Sequence, residues 1–438
     1  MLNWIWFALI LVSVLCGAVS GEMEAVTQAS LDYAKDAVEL AIGLIGIMAF
    51  WLGIMRVAED AGLLHALAKK IKPLMKRLFP QVPADHPAMS AMIMNISANM
   101  LGLGNAATPF GIKAMMELDR LNSKKGVATN AMCLFLAINT SNVALFPLGV
   151  IALRSSLGSM NAAAILPSTL FATLCSTLVA IFATKYLAKL PRFKKQWDEA
   201  PKSKGKKSQE TPASSTDFLL KGEKGKWHSP LFLRIIAWVS VFFFLGAMVI
   251  NVYFNSLSIG FGNAVKDILS FWLIPGLIAF LLFYGVLKGV KVYESLVEGA
   301  KEGFRVAIRI IPFLVAIFVA VGMFRASGAL DLLNQLIGPL ANFFGLPTEA
   351  LPMAVLRPLS GSGAYGVMAE IMQTHGPDTF IGYLVSTFQG STETTFYVLA
   401  VYFGAVQVKV ARHALPACLI ADLAGILAAV WICRLLFL

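Results

Sequence analysis

The chain has 438 residues, of which 58% are hydrophobic and only 14% are charged, whereas charged residues make up about 25% of a typical soluble domain. This composition excludes an ordinary soluble globular protein and predicts an all-α polytopic membrane protein. The formal net charge of +11 does not indicate nucleic-acid binding, because residues 185–230 alone hold twelve Lys/Arg against five Asp/Glu. That pattern is typical of a cytoplasmic loop.

The N-terminal 21 residues resemble a signal peptide, with an apolar run that ends in small residues. They lack the basic residues that normally precede such a run. We therefore interpret them as a retained first helix, anchored at the membrane interface by Trp4 and Trp6. The positive-inside rule predicts that the N-terminus and the basic segment 190–230 are cytoplasmic and that the acidic segment 21–36 is an external loop.

Apolar runs long enough to cross a bilayer recur along the chain, since a spanning helix needs about 20 residues. The predicted crossings are residues 3–20, 38–56, 127–153, 161–185, 231–254, 267–288, 304–324, 380–405 and 413–436. The basic and amphipathic segment 57–79 is instead predicted to be an interfacial helix along the inner leaflet.

Two further apolar stretches, residues 85–118 and 349–373, each break at a centre rich in Gly, Ser or Asn. Their arms of roughly 12 to 17 residues are too short to span a bilayer and predict re-entrant helical hairpins. Close helix packing through small residues is the alternative. The predicted non-helical tips are residues 102–109, with Pro109 in the first turn of the returning helix, and 360–366. The candidate substrate-binding residues of the tips are Asn105, Thr108, Ser360, Ser362 and Tyr365.

Two of the predicted crossings carry polar residues at their centres and therefore predict discontinuous transmembrane helices. Residues 139–142 read Asn-Thr-Ser-Asn, and residues 389–395 read Gln-Gly-Ser-Thr-Glu-Thr-Thr. Burying so many polar groups in lipid is costly, so they must face a protein interior or a water-filled cavity. The candidate substrate-binding residues of the two breaks are Asn139, Thr140, Ser141, Asn142, Gln389, Ser391, Thr392 and Thr394.

Three charged residues are expected at membrane depth. A carboxylate at mid-span by default indicates a proton or cation site, which makes Glu393 and Asp422 the candidate ion-coupling residues. Glu393 could instead form an internal ion pair with Arg357. A second candidate role for Arg357 is to bind an anionic substrate, and the sequence leaves both roles open.

Internal repetition predicts the architecture. Ala34-Lys35-Asp36 matches Ala300-Lys301-Glu302 at an offset of 266 residues, and residues 139–142 fall on residues 389–392. An odd number of predicted crossings separates the two units, so they are expected to be inverted-topology repeats, each with a re-entrant hairpin and a discontinuous helix. The predicted domains are residues 1–189, the linker 190–230 and residues 231–438. Inverted repeats with broken helices are the plan of many secondary transporters.

The first half resembles the spore maturation protein A family through ISANMLGLGNAATPFGIKAMMELDRLN and NAMCLFLAINTSNVALFPLGVIALR. The second half resembles the spore maturation protein B family through RPLSGSGAYGVMAEIM and YLVSTFQGSTETTFYVLAVYFGAVQVKVARHALPACLIADLAG. Both are similar to the nucleoside recognition, or Gate, domain shared with concentrative nucleoside transporters and the membrane part of a ferrous-iron transporter. The resemblance implies a transporter-like fold, a location in the inner membrane of a bacterial cell and a role in spore maturation.

The function expected from these features is transport of a small polar or anionic solute, nucleoside-like solutes included, by alternating access, with proton or sodium coupling. The alternative is a non-transporting scaffold or assembly factor in spore or envelope maturation, which predicts no solvent-connected cavity at the breaks. An enzyme ranks third because no nucleophile elbow, P-loop or HExxH motif is present. The expected partners are the solute, the lipid bilayer, a coupling cation and further copies of the chain, without cofactor, metal or nucleic acid.

Overall fold

The computed structural model describes residues 2–102, 104–199, 231–259, 272–332 and 345–438, together with positions 335 and 339. Within these ranges the chain is helical, and its one extended pairing is an isolated bridge between Val127 and Val410. The predicted all-α class is thus confirmed. Most of the predicted linker lies outside the described residues.

The helices are labelled in chain order. Before the linker the described helices are α1 (Leu2–Ser20), α2 (Met23–Asp60), α3 (Leu63–Leu78), α4 (Pro87–Met100), α5 (Gly104–Arg120), α6 (Asn130–Thr140), α7 (Leu148–Ser156), α8 (Leu166–Leu187) and α9 (Pro191–Asp198). After it they are α10 (Leu231–Ile259), α11 (Leu273–Leu287), α12 (Val292–Ala326), α13 (Leu351–Leu356), α14 (Gly361–His375), α15 (Phe380–Ser391), α16 (Thr395–Ala405) and α17 (Ala414–Phe437). Short 3₁₀ turns at Ala162–Ile165 and Thr348–Ala350 lead into α8 and α13.

Among the described residues, four helices are long and apolar enough to cross a membrane. They are α2, α8 with its preceding 3₁₀ turn, α12 and α17. Large apolar side chains such as Phe182 on α8 and Trp431 on α17 are exposed, as expected for contact with lipid rather than water. The length and composition of these helices support a multi-pass membrane protein.

Two boundaries near the N-terminus differ from the sequence prediction. The acidic segment 21–36 is not a loop, because α2 begins at Met23 and runs for 38 residues. At 1.5 Å per residue it is about 57 Å long, well beyond the ~30 Å hydrocarbon core, so its acidic end need not enter lipid. The interfacial helix starts at Leu63, not at residue 57, because α2 continues to Asp60 and Gly62 then turns the chain with a φ of 77°.

The chain divides into two compact units, which are described separately. The first comprises Met1–Ile45, Ile71–Lys202 and Val306–Leu438, and the second comprises Gly46–Lys70 and Ser203–Arg305. In the second unit the end of α2 packs closely on the start of α12, because a Cβ on Gly299 would lie 2.5 Å from Arg56 Cβ and one on Gly303 would lie 2.5 Å from Ala49 Cα. Small residues four apart permit this backbone approach between helices.

In the first unit, both predicted hairpins are helix–turn–helix pairs. Helices α4 and α5 pack against each other, as do α13 and α14. The non-helical tips are shorter than predicted: only residues 101–103 separate α4 from α5, and residues 357–360 separate α13 from α14. Gly102 makes the first turn at a φ of 72°, where a Cβ would lie 2.5 Å from Phe146 O.

The returning helices of both hairpins start earlier in the chain than the composition of the tips predicts. Asn105 and Thr108 lie inside α5, Tyr365 lies inside α14, and Pro109 comes in the second turn of α5, not in the first. Helix α13 has six residues and is shorter than the predicted arm. The proline that follows Arg357 has no N–H with which to continue that helix.

The two predicted helix breaks are present. Helix α6 ends at Thr140 and α7 begins at Leu148, while α15 ends at Ser391 and α16 begins at Thr395. Each broken helix starts with a threonine N-cap: Thr129 Oγ1 accepts from Met132 N at 3.1 Å and Thr379 Oγ1 accepts from Gly382 N at 3.1 Å. The two caps stand at corresponding positions of the sequence repeat, ten residues before Asn139 and Gln389.

Candidate functional site

The two helix breaks meet directly. The backbone N–H of Glu393 in the second break donates to Thr140 O, the last residue of α6, at 2.7 Å. On the other side of the first break, Thr173 Oγ1 of α8 donates to Ser141 O at 2.9 Å and also to Asn142 O. Asn142 itself has a φ of 41°, the left-handed conformation that asparagine tolerates better than most residues. The non-helical backbone of the first break is therefore held by hydrogen bonds to the second break and to α8.

A cavity of about 170 Å³ lies at this meeting point. Of the predicted site residues, Asn142, Arg357, Tyr365, Gln389 and Glu393 line it. Its other walls come from Asn99, Gly102, Ala144, Phe146, Pro147, Leu148, Gly149, Val150 and Gly390. Residues from both predicted repeats thus surround one polar space.

Arg357 is buried against the second break, with 3% of its side chain exposed. Its Nη1 donates to Thr394 Oγ1 at 3.2 Å, and its Nη2 donates to Gln389 O at 3.2 Å and to Thr392 O. Carbonyls in the last turn of a helix have no intrahelical partner. Arg357 therefore satisfies the C-terminal end of α15 and the break that follows.

Glu393 is the more exposed member of the pair. Its side chain is 42% exposed, and Oε2 lies 3.8 Å from Arg357 Nη2, a distance of ionic contact rather than a hydrogen bond. Oε2 also accepts from Thr394 N at 3.2 Å. The ion pair that the sequence suggested is present, and it leaves most of the carboxylate facing the cavity.

Asn139 belongs to a buried amide network that the sequence did not reveal. Asn99 Nδ2 donates to Asn139 Oδ1 at 2.9 Å, and Tyr402 OH donates to the same oxygen at 3.3 Å. Asn95 Nδ2 in turn donates to Tyr402 OH at 3.1 Å. The available signal was the spacing of Asn95 and Asn99, which are four residues apart and therefore on one face of the otherwise apolar α4.

Asp422 lies behind the second break and does not line the cavity. It is 3% exposed, and its Oδ2 accepts from Thr395 Oγ1 at 2.7 Å. Its Oδ1 has no hydrogen-bond partner among the described residues. The structure thus brings Asp422 close to the break without placing it beside Glu393 in the cavity wall.

Several predicted residues have structural contacts. Ser141 Oγ bonds to Thr177 Oγ1 at 3.0 Å, and Ser391 and Thr392 each donate back to Phe388 O at 3.4 Å. Ser360 caps α14 by accepting from Gly363 N at 3.0 Å. Ser362 and Thr108 are partly exposed and do not line the cavity, and the Asn105 side chain lies outside the described part of the structure.

Two arginine clusters that sequence analysis did not identify lie at opposite ends of the α6–α7 path. The first surrounds Arg154 near the end of α7, which is completely buried and pairs with Asp378 at 2.8 Å. It also donates to Pro377 O at 2.6 Å and Ser386 Oγ at 3.2 Å, and its guanidinium lies 4.5 Å from the Tyr383 ring centroid. The cluster ties α7 to the segment around the start of α15.

The second cluster surrounds Arg412, just before α17. Arg412 Nη1 donates to Ala128 O at 3.0 Å, next to the start of α6, and Nε donates to Phe193 O of α9 at 3.3 Å. Trp197 of α9 lies between two cations, with its ring centroid 5.2 Å from the Arg412 guanidinium and 5.3 Å from Lys124 Nζ. Lys124 also donates to the Trp197 carbonyl. The cluster therefore links α9 to the segment that precedes α6.

The fold and the site together define a helical membrane protein in which two broken helices meet at a polar cavity. Comparison with protein families gives a match to the Gate family, described as nucleoside recognition, over residues 41–189 and 307–409. The match covers more than half of the chain, so the chain belongs to the Gate (nucleoside recognition) family. No solved structure is significantly similar to it.

Two curated relatives each match part of the chain. Spore maturation protein B of Bacillus subtilis (strain 168) is 50% identical over 169 residues, which are 39% of this chain and 95% of the relative. Spore maturation protein A of the same organism is 40% identical over 186 residues, 42% of this chain and 95% of the relative. These matches agree with a fusion of two spore maturation proteins and confirm the resemblance stated from the motifs.

A more distant relative is an inner membrane protein, YjiG of Escherichia coli (strain K12). It is 30% identical over 82 residues, 18% of this chain and 54% of the relative. Its name agrees with the apolar helices in supporting a membrane location.

Proposed function

We propose that the chain is an integral membrane transporter that moves a small polar solute by alternating access. The observation that carries the proposal is the polar cavity where the two helix breaks meet, lined by the half-exposed carboxylate of Glu393. An ionisable residue at such a site is a natural place for solute or coupling-ion binding. Under the scaffold alternative the breaks would be fully packed, so the cavity counts against it.

The size of the cavity supports a small solute. Pockets that enclose drug-sized ligands usually measure about 300–1,000 Å³, whereas this one measures about 170 Å³. A solute of few non-hydrogen atoms fits the cavity in this conformation, and a nucleoside would need it to expand.

The two arginine clusters support alternating access. The Arg154 cluster holds the α7 end of the path to residues near α15, and the Arg412 cluster holds the α6 end to α9 and the segment before α17. Neither cluster contributes a residue to the cavity wall. Under the proposal, one cluster loosens while the other stays intact, so the solute leaves on the side opposite to its entry.

The proposal includes a membrane arrangement. The two hairpins are re-entrant, and the regions 1–189 and 231–438 are inverted repeats joined by a cytoplasmic linker. The common position of the two threonine caps and of the two helix breaks supports this repeat. A coupling cation, the bilayer and further copies of the chain are the proposed partners.

The test is uptake into proteoliposomes that contain the purified full chain, with a panel of small labelled cations, anions and neutral polar solutes. Glu393→Gln should reduce uptake of the transported solute at least tenfold, because the variant keeps the side-chain shape but loses the charge. The matched control is Glu302→Gln, which removes a half-exposed carboxylate from an ion pair on α12. Absence of uptake of every solute by the wild-type chain would contradict transport.

A further inference from the structure

The charge of the solute follows from the walls of the cavity, if the proposed transport function holds. We propose that the cavity selects a compact cation that carries N–H donors, such as a primary ammonium group, and that Glu393 determines this specificity. A solute can bind only to those donors and acceptors of the walls that have no partner in the protein.

The only guanidinium at the described cavity wall is committed to the backbone. Arg357 has three nitrogens that carry N–H donors, and two of them already donate to Thr394 Oγ1 and the carbonyls of Gln389 and Thr392. The third nitrogen, Nε, is buried and has no partner among the described residues. Because only 3% of the side chain is exposed, an anionic solute could pair fully with the guanidinium only by drawing it away from the end of α15, which would leave those carbonyls without donors.

Two further donors at the wall, on Asn99 and Tyr365, are also used, whereas the amides of Asn142 and Gln389 carry both a donor and an acceptor and do not discriminate by charge. Asn99 Nδ2 donates to Asn139 Oδ1 at 2.9 Å, and the Tyr365 hydroxyl donates its proton to Gly149 O at 3.2 Å. A hydroxyl that has donated its proton still has lone pairs with which to accept. Tyr365 therefore offers the solute an acceptor rather than a donor.

The acceptors, by contrast, remain available. Glu393 is 42% exposed, and among the described residues no donor bonds to its Oε1. The Tyr365 hydroxyl oxygen, which has already donated its proton, is the second acceptor at the wall. A half-exposed carboxylate beside a phenol oxygen matches an ammonium group, because each oxygen can accept one of its N–H groups. The same two acceptors disfavour a carboxylate, which has no proton to donate.

The experiment is a binding measurement on the purified full chain with three small ions as probes: methylammonium, tetramethylammonium and acetate. Methylammonium should bind and raise the melting temperature, and acetate should not. Tetramethylammonium has the same charge but no N–H donor, so it should bind at least tenfold more weakly, equivalent to about 1.4 kcal/mol. Binding of acetate in preference to methylammonium, or of no probe at all, would overturn the inference.

Two variants test whether methylammonium binds to Glu393 and Tyr365. Glu393→Gln should weaken methylammonium binding at least tenfold, whereas the control Glu302→Gln should leave it unchanged. Tyr365→Phe keeps the ring and removes one acceptor, so a several-fold loss is expected even if the Glu393 variant folds poorly. Wild-type affinity in both Glu393→Gln and Tyr365→Phe would contradict the assignment.

The outcomes separate this inference from the transport proposal. Uptake of acetate but not methylammonium into proteoliposomes would reject the cation assignment and leave transport standing. Tight methylammonium binding that depends on Glu393, without movement of any solute across the membrane, would support the cation site and reject transport.

Discussion

Replacement of Arg357 tests whether this residue serves the fold or the solute. In Arg357→Met the side chain keeps similar length but loses its donors, so Thr394 Oγ1 and two backbone carbonyls lose their partner and Glu393 loses its counter-ion. Each buried acceptor left unpaired costs about 1–3 kcal/mol. Three such acceptors at the lower end of that range give an expected loss of about 3 kcal/mol. The Glu393 carboxylate adds little, because its side chain is 42% exposed and water can solvate the charge.

The assay is equilibrium unfolding of the purified chain in detergent. Arg357→Lys should lose about 1–3 kcal/mol, because one ammonium group cannot reproduce the fork that reaches three divergent oxygens. Arg305→Met is the control, since that arginine is 71% exposed in an ion pair on α12 and exposed pairs contribute at most about 1 kcal/mol. A loss below about 1 kcal/mol in Arg357→Met, accompanied by loss of anion binding, would refute the structural role.

Three further substitutions test other parts of the structure. Gly102→Ala should destabilise the chain by about 1–3 kcal/mol in the same unfolding assay, because the new Cβ would collide with Phe146 O and the residue has a positive φ. Unchanged stability would contradict the close approach of these two segments. Asp378→Asn should cost about 3–5 kcal/mol by unpairing the buried Arg154, and Asp331→Asn, on an exposed carboxylate, is its control. Trp197→Ala should remove about 1–3 kcal/mol of cation–π stabilisation from α9, seen as faster proteolysis after residue 191; an unchanged cleavage rate would contradict the docking of α9.

The helix breaks could be predicted from sequence because composition and steric rules agree there. Polar runs at mid-span cannot face lipid, and Pro147 supplies no backbone donor to a continuing helix. The pairing of Arg357 with Glu393 could also be proposed, since few charged residues lie at membrane depth. Which role Arg357 serves depends on the carbonyls it reaches, and these are set by the three-dimensional course of the second break.

The hairpin tips show where composition fails. Glycine, serine and asparagine are frequent both in turns and in the first turn of a helix, so the run around Asn105 was read as a loop although α5 begins at Gly104. The partners of Asn139 were missed for a different reason. Tyr402 comes from a helix more than 260 residues away in sequence, and no local pattern reports such a contact.

The burial of Arg154 could not be predicted from its position in the sequence. It lies just beyond the predicted crossing 127–153, where a basic side chain normally reaches the headgroups. In the structure the side chain is completely buried and bonded to the segment that precedes α15. Its partner Asp378 is distant in sequence, so the buried pair could be recognised only from the fold.

The central claim is that the cavity at the two breaks opens alternately to the two sides of the membrane. Its most direct test is the labelling of Gln389→Cys, at the cavity wall, by a membrane-impermeant thiol reagent in a background whose native cysteines are replaced by alanine. The account predicts labelling from either side in vesicles of opposite orientation, with slower labelling when solute is bound. Labelling from one side only, at a rate that no solute changes, would contradict it.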